Sequence, residues 1–410
     1  MSTTSPTAAL ADLAWLVSPA AAACLSSAAE ERDPLARAAR LRSELSAERA
    51  RLVAQQVELR HRAARKFAAA ERMFFTPVGL EQATDGWTAA YKAARFAGAG
   101  RVLDFCCGIG GDLTALATRT AAHGVDRDPA AALLAEANCR ALLELSPAGE
   151  PTFPAAAVTV GDVSPDQLVA DDAWHIDPDR RPSGRRTTQV ALHDPPAGVI
   201  DSLLAAAPAG AVKLAPAAEL PAAWRDAAEL EWISSARECR QLVAWFGPLA
   251  GQPGRHRATL VPRGGEPGAA APASFSGLPD VECPVAAVVG QYVFDPDPAL
   301  VAARLVGALA REQGLAALVA GGAYLTADHP LDHPLLAALA VSEVVPWDVR
   351  RLKRLLAERR IGRLEVKQRG TRFDPATVAR ELKVAGDAAA TLILYRRAKS
   401  VVAILAERVG

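Results

Sequence analysis

The stretch Val102-Leu103-Asp104-Phe105-Cys106-Cys107-Gly108-Ile109-Gly110-Gly111-Asp112 constrains this chain more than any other. An apolar run ends in an acid, passes through a turn of small residues and glycines, and enters the helical pattern Leu113-Thr114-Ala115-Leu116-Ala117. That is a strand, a tight loop and a helix start. Glycine is required where backbone must approach a ligand closely or adopt positive φ. The helix start offers unpaired N–H groups to a polar ligand. The loop is not G-x-G-x-x-G and lacks the Lys-Ser/Thr ending of a P-loop. Neither a dinucleotide nor a nucleoside triphosphate is therefore the first expectation.

Acids recur at the ends of the apolar runs that follow. Asp126 ends Ala122-His123-Gly124-Val125, Asp162 follows Val158-Thr159-Val160-Gly161, and Asp177 ends Ala173-Trp174-His175-Ile176. From Arg101 to about Arg263 strand and helix signals alternate, which predicts a parallel sheet with helices on both faces. Strands are expected at 101–105, 121–125, 157–161, 173–176, 210–214, 229–234, 241–246 and 256–261, the last few closing the sheet as an antiparallel hairpin. Ligands of open α/β sheets bind beyond the carboxyl ends of the strands, so Asp104, Asp126, Asp162 and Asp177 gather at one crevice. A carboxylate after the second strand suits a ribose diol, and one after the third suits an adenine amine. Asp128 before Pro129 reads as a helix cap.

The segment 101–180 resembles the class I S-adenosylmethionine-dependent methyltransferases. Asp104-Phe105-Cys106-Cys107-Gly108-Ile109-Gly110-Gly111 matches that family's first motif, and Asp126 and Asp162 fall at its ribose and adenine acids. Within the family, Phe-Cys-Cys-Gly-Ile-Gly-Gly preceded by Phe75-Thr76-Pro77 is similar to trimethylguanosine-synthase-type RNA guanine-N2 methyltransferases. The resemblance implies S-adenosyl-L-methionine held by Thr76, Asp104, Cys106, Gly108, Gly110, Asp126, Arg127, Asp162 and Val163, with Phe75 and Thr76 closing over it. It also implies a reacting edge at Asp177-Pro178, where amino-directed members carry Asp/Asn/Ser-Pro-Pro-aromatic. Here Asp179 and Arg180 stand in place of the second proline and the aromatic ring. Asp177 would orient an exocyclic amine for in-line attack, a reaction of positioning and charge placement. A second Asp-Pro-Pro, Asp194-Pro195-Pro196, reads as a cap and turn before a helix at 197–207, with the catalytic motif as its alternative.

Charge adds a partner. The 410 residues are formally neutral, so no global field marks a polyanion binder. Yet ten Lys/Arg against three acids fall between Pro346 and Arg372, including Arg350, Arg351, Lys353 and Arg354. Four arginines (Arg180, Arg181, Arg185 and Arg186) surround a turn beside the reacting edge, read as phosphate contacts or as a basic loop. Residues 335–407 resemble the THUMP-like domain of some bacterial methyltransferases, through Val345-Pro346-Trp347-Asp348, Leu364-Glu365-Val366-Lys367-Gln368-Arg369-Gly370 and Leu394-Tyr395-Arg396-Arg397. True THUMP domains bind RNA, which implies a sequence-independent phosphate grip there.

The expected architecture is α/β, a Rossmann-like class I methyltransferase sheet with helical N-terminal and small α+β THUMP-like parts. The expected domains are a helical region 1–96, a methyltransferase domain 97–263, a connecting segment 264–334 and the THUMP-like domain 335–410. Within these, one or more helices are expected through Arg37–Arg72, a linker at Gly264–Pro279, a strand at Ala286–Phe294 and a helix at Pro298–Arg311. His175, Trp174 and Lys213 read as strand residues. The six cysteines form no CxxC pair and read as buried thiols, with no metal site. No apolar run is long enough to span a bilayer, and Met1–Ser5 lacks a basic leader, so a cytoplasmic protein is expected; the oligomeric state is left open, with a monomer favoured. The reading is an RNA methyltransferase acting on an amino group. Its rivals are a small-molecule or protein methyltransferase and a non-catalytic RNA-binding protein of the same fold.

Overall fold

A computed structural model describes residues 6–143, 156–181, 185, 187–264, 271–369 and 371–409. The chain forms two compact units. One is Met1–Leu230 with Gln241–Gly254 and Val261–Ala271, and the other is Glu231–Arg240, Arg255–Leu260 and Pro272–Gly410.

The first unit starts with helices Pro6–Leu16, Pro19–Glu30, Pro34–Glu44 and Ala47–Ala63. Asp33 and Ser46 cap two of them by accepting from the Leu35 and Arg49 amides. The helical stretch expected to reach Arg72 is two helices and stops at Ala63. Turns follow because Phe67, Ala70 and Met73 are buried with Phe75, Leu80 and Ile109, a cluster that a straight helix would not reach. The Lys66 ammonium fixes the bend by donating to the Leu80, Glu81 and Ala83 carbonyls at 2.8–3.0 Å, which are exposed at the end of helix Pro77–Gln82.

Seven strands follow along the chain: β1 (Arg101–Phe105), β2 (Ala121–Asp126), β3 (Ala157–Val160), β4 (Ala173–Ile176), β5 (Ala209–Leu214) and, divided between the two units, β6 (Glu229–Ser235) and β7 (Glu238–Trp245). They run in the order β3-β2-β1-β4-β5-β7, parallel through β5 and antiparallel between β5 and β7. β6 is the other arm of the β7 hairpin, which turns at Ala236 and Arg237 with φ of 51° and 61°. Because β1 lies between β2 and β4, the winding reverses there and opens a crevice beyond the strand ends. β4 is buried throughout, as a parallel strand covered on both faces must be. A Cβ on Gly210 of β5 would lie 2.3 Å from the Trp174 ring of β4, so only glycine lets that indole lie over the strand.

In the second unit β8 (His256–Leu260) pairs antiparallel with β9 (Ala273–Gly277). β9 lies inside the stretch expected as a linker. Its small, alternating residues hide a strand that Thr259 and Ser274 join by a 2.8 Å hydrogen bond. The expected strand at Ala286–Phe294 begins only at Tyr292, because Ala286 donates to the Ala317 carbonyl before the strand starts. The helix expected over Pro298–Arg311 is two, Pro298–Ala302 and Val306–Glu312, broken where Arg304 takes φ of 60° and pairs with Asp280. A seven-stranded sheet comprises β10 (Tyr292–Pro296), β11 (Ala316–Ala317), β12 (Leu325–Ala327), β13 (Leu336–Pro346), β14 (Ile361–Arg369), β15 (Ala388–Arg397) and β16 (Ser400–Arg408), ordered β11-β12-β10-β13-β16-β15-β14. Helices Val349–Glu358 and Pro375–Leu382 pack their leucines and Val378 against Leu392, Leu394 and Leu405 on one face of it. Among the described residues no single helix is long and apolar enough to cross a membrane.

Candidate active site

The loop after β1 takes the conformations its composition predicts. Gly108 and Gly110 have φ of 56° and 82°, and Cys106 takes 56° despite its side chain. A non-glycine residue held there stores local strain. Asp126, at the end of β2, organises this turn: its Oδ2 accepts from the Gly108 amide at 2.8 Å and its Oδ1 from the Asp128 amide at 2.9 Å. Gly161 donates to the Asp126 carbonyl, placing Asp162 and Val163 just past β3. Arg127 pairs with Asp194 at 2.7 Å. Burial pushes the Cys106 thiol well up, and the nearby Asp126 and Asp177 carboxylates push the same way.

A second layer holds the loop from outside. Thr76 caps helix Pro77–Gln82 by accepting from the Gly79 amide at 2.9 Å, and a Cβ on Gly79 would lie 2.5 Å from Ile109. The Phe74–Gly79 stretch therefore lies directly against the loop. Asn138, buried on helix Pro129–Leu143, accepts from the Phe74 amide at 2.6 Å and donates to the Phe74 and Ile109 carbonyls at 3.0 and 2.9 Å. Sequence reasoning missed Asn138. Its only signal is a lone amide in a mostly apolar helix.

Beneath the loop lies a buried charged cluster that the sequence reading missed. His175 Nδ1 is 2.7 Å from Asp104 Oδ1, and its Nε2 is 3.3 Å from the Lys92 ammonium. Lys92 forms an ion pair with Asp112 at 2.7 Å, and Thr84 donates to the other Asp112 oxygen at 2.7 Å. Burial pushes the Lys92 ammonium down against the pull of Asp112. Burial also drives the Asp104 carboxyl up, more than His175 offsets. For Asp112 burial acts upward, but Lys92, His175 and Lys213 together hold the carboxyl well below the ordinary range. Asp104 is 1 % exposed, and its Oδ2 has no hydrogen-bond partner among the described residues.

At the end of β4 the Asp177 amide donates to the Phe105 carbonyl at 3.3 Å, and Lys213 of β5 sits 2.5 Å from Asp177 Oδ2. Pro178 is buried. Asp179 and Asp194 exchange backbone hydrogen bonds at 2.7 and 2.9 Å, so the two Asp-Pro motifs meet at one edge. Asp194 is not the cap expected of it. Pro196 holds the cap position of helix Ala197–Ala206 with no side-chain bond, and the Asp194 carboxylate is engaged by Arg127. Arg181 pairs with Glu81 at 3.6 Å, the Arg180 carbonyl accepts from Thr187, and Arg185 is exposed. Arg186 and residues 182–184 lie outside the described residues. In the second unit Asp348 caps helix Val349–Glu358, on which Arg350, Arg351 and Arg354 are exposed and Lys353 is half-buried. Trp347 and Phe373 pack as a ring pair 4.8 Å apart at the foot of that helix.

The parallel sheet and the glycine loop after β1, with acids at successive strand ends, are those of a class I methyltransferase. A crystal structure of a candidate methyltransferase from Porphyromonas gingivalis W83 has the same fold, with a TM-score of 0.76 over 100 % of both chains at 19 % identity. An uncharacterized S-adenosylmethionine-dependent methyltransferase of Mycobacterium tuberculosis (strain CDC 1551 / Oshkosh) is 31 % identical over 359 residues, spanning 85 % of this chain and 93 % of the relative. Its counterpart in strain ATCC 25618 / H37Rv matches equally. Residues 336–408 match the family described as THUMP domain-like, from the start of β13 to the end of β16. The chain belongs to the S-adenosylmethionine-dependent methyltransferases, carries a C-terminal THUMP-like domain, and uses S-adenosyl-L-methionine as its cofactor. The residues present fit that group. Open space lies where a Gly108 side chain would stand, and Asp104 carries a buried oxygen that has no hydrogen-bond partner among the described residues.

Proposed function

We propose that the protein methylates an exocyclic amine of a base in structured RNA. The observation that carries this reading is one chain combining the Asp177-Pro178 edge of a methyltransferase crevice with a THUMP-like domain that bears an exposed basic helix. S-adenosyl-L-methionine supplies, when bound, a methyl group on a cationic sulfur that an amine nitrogen can attack. The backbone of Cys106–Gly110 cradles it, Asp104 accepts from its amino group, Asp126 from its ribose hydroxyls, and Asp162, beside Val163, from its adenine amine. Thr76 and Phe75 exclude water from above the loop. Asp177 and the Pro178 carbonyl accept from the target N–H groups and so aim the nitrogen lone pair. This is catalysis by orientation, which needs no covalent enzyme intermediate. Arg180, Arg181, Arg185 and Arg186 contact phosphates beside the edge, and Arg350, Arg351, Lys353 and Arg354 grip the backbone without reading sequence.

The test is transfer of labelled methyl groups from S-adenosylmethionine to total RNA from a strain lacking the protein. Wild type should label that RNA, and Asp177→Asn should label it on the order of 100-fold more slowly. Equal labelling by the variant would remove Asp177 from the reacting edge. Label in protein or small molecules alone would replace RNA as the acceptor.

A further inference from the structure

We propose that Lys213 is the positioning residue for Asp177, clamping one carboxylate oxygen so that the other alone meets the acceptor amine. The inference rests on the reading of Asp177 as the acceptor-side acid. The registers His175↔Ala211 and Ile176↔Val212 put Asp177 and Lys213 side by side at the carboxyl ends of β4 and β5. Alternation then sends both side chains to the face that carries His175 and Asp104, which are paired across β4 and β1. The Lys213 ammonium is 2.5 Å from Asp177 Oδ2 and 4.0 Å from Asp112 Oδ2. Asp177 Oδ1 has no hydrogen-bond partner among the described residues, and the Asp177 side chain is 36 % exposed against 13 % for Lys213. One oxygen is therefore held from below while the other opens on the crevice.

The surroundings keep the clamp charged. Lys213 faces Asp177 from β4, Asp112 from the loop and Asp104 from β1, with Lys92 the opposing cation from helix Gly86–Ala93. Burial pulls the Lys213 ammonium down, but Asp177 and Asp112 outweigh it and hold it above its ordinary value. A carboxylate free to rotate at a strand end would present either oxygen in many directions, and small misplacements are costly in a reaction carried by alignment. In the transfer the amine nitrogen bonds the methyl carbon as the carbon–sulfur bond breaks, sulfur keeps the electron pair, and the nitrogen releases one proton to solvent. A carboxylate fixed by Lys213 holds the N–H through that step. The lysine also replaces, from beneath, some of the order that the absent second proline and aromatic ring would have given the motif.

Purified wild type, Asp177→Asn, Lys213→Met, Lys213→Arg and the Asp177→Asn/Lys213→Met double variant are compared. Each is given tritium-labelled S-adenosylmethionine and a lysate of a strain lacking the protein, fractionated afterwards into RNA, protein and small molecules. Lys213→Met should lose on the order of 10- to 100-fold in kcat, with KM for S-adenosylmethionine within about twofold. Lys213→Arg, which keeps a cation, should recover part of the loss. The double variant should be no slower than Asp177→Asn, because a residue acting through Asp177 has nothing left to position. Calorimetric binding of S-adenosylmethionine checks folding, and Lys213→Gln gives the same comparison if the methionine variant does not fold. Full activity of Lys213→Met beside a slow Asp177→Asn would overturn the inference and leave the Asp177 reading standing. An additive loss in the double variant would also overturn it, by showing that Lys213 acts independently of Asp177. A fully active Asp177→Asn, or no label in any fraction with wild type, would sink both together. Label in protein or small molecules would end the RNA reading alone, and the same kcat comparison would still judge the clamp.

Discussion

Gly110 shows how little freedom the cofactor loop has. Its φ is 82°, and an added Cβ would lie 3.2 Å from the Cα and Cβ of Ala135 on the neighbouring helix. Gly110→Ala should cost about 1–2 kcal/mol from the left-handed backbone alone, read as a lower urea midpoint, and should weaken S-adenosylmethionine binding. An unchanged midpoint would show that the loop relaxes without cost. Asp126→Ala should weaken cofactor binding at least tenfold by calorimetry, since hydrogen bonds to a charged group contribute about 1.5–3 kcal/mol each. Equal affinity would put the ribose elsewhere. At this scale the loop and its strand-end acids were legible because chemistry ties acid and glycine to fixed places along the sequence. Lys92, Asn138 and the role of His175 were not, because their partners come from elements far away in the chain. Lys213 could be read only as a strand residue, since its meaning depends on the β4–β5 register.

The strands of the first sheet stand within a few residues of where their apolar runs end, and side-chain pairs hold them there. Arg101 opens β1 and Asp172 precedes β4; the guanidinium Nε donates to Asp172 Oδ1 at 2.9 Å, and the Val169 amide donates to Oδ2 at 2.8 Å. Burial acts to raise the Asp172 carboxyl, but these bonds outweigh it and hold the carboxyl below its ordinary value. An acid depressed in the folded state adds stability above its unfolded pKa of about 3.9 and loses it as pH falls further. Urea midpoints measured from about pH 6 down to about pH 3 should therefore fall less steeply in Arg101→Met than in wild type. Parallel acid legs would remove this pair from the acid sensitivity. Elements went unread where composition masked pattern. β9 hides in small residues, and the break at Arg304 is a backbone conformation that no residue type in Pro298–Arg311 announces.

For the molecule as a whole, the neutral total hides an uneven distribution of charge that is legible in the order of residues alone. Replacing Arg350, Arg351, Lys353 and Arg354 by glutamine should weaken RNA binding and flatten its salt dependence, by about 0.7 in log–log slope for each single-strand phosphate that is no longer neutralised. An identical slope would remove this helix from the interface. The acceptor proposed above, an exocyclic amine of a base in RNA, can be read by mass spectrometry of modified nucleosides. RNA from a strain lacking the protein should miss one amino-methylated nucleoside, which returns with the wild-type gene and not with Asp177→Asn. Identical nucleoside profiles with and without the protein would rule out an RNA base as the acceptor.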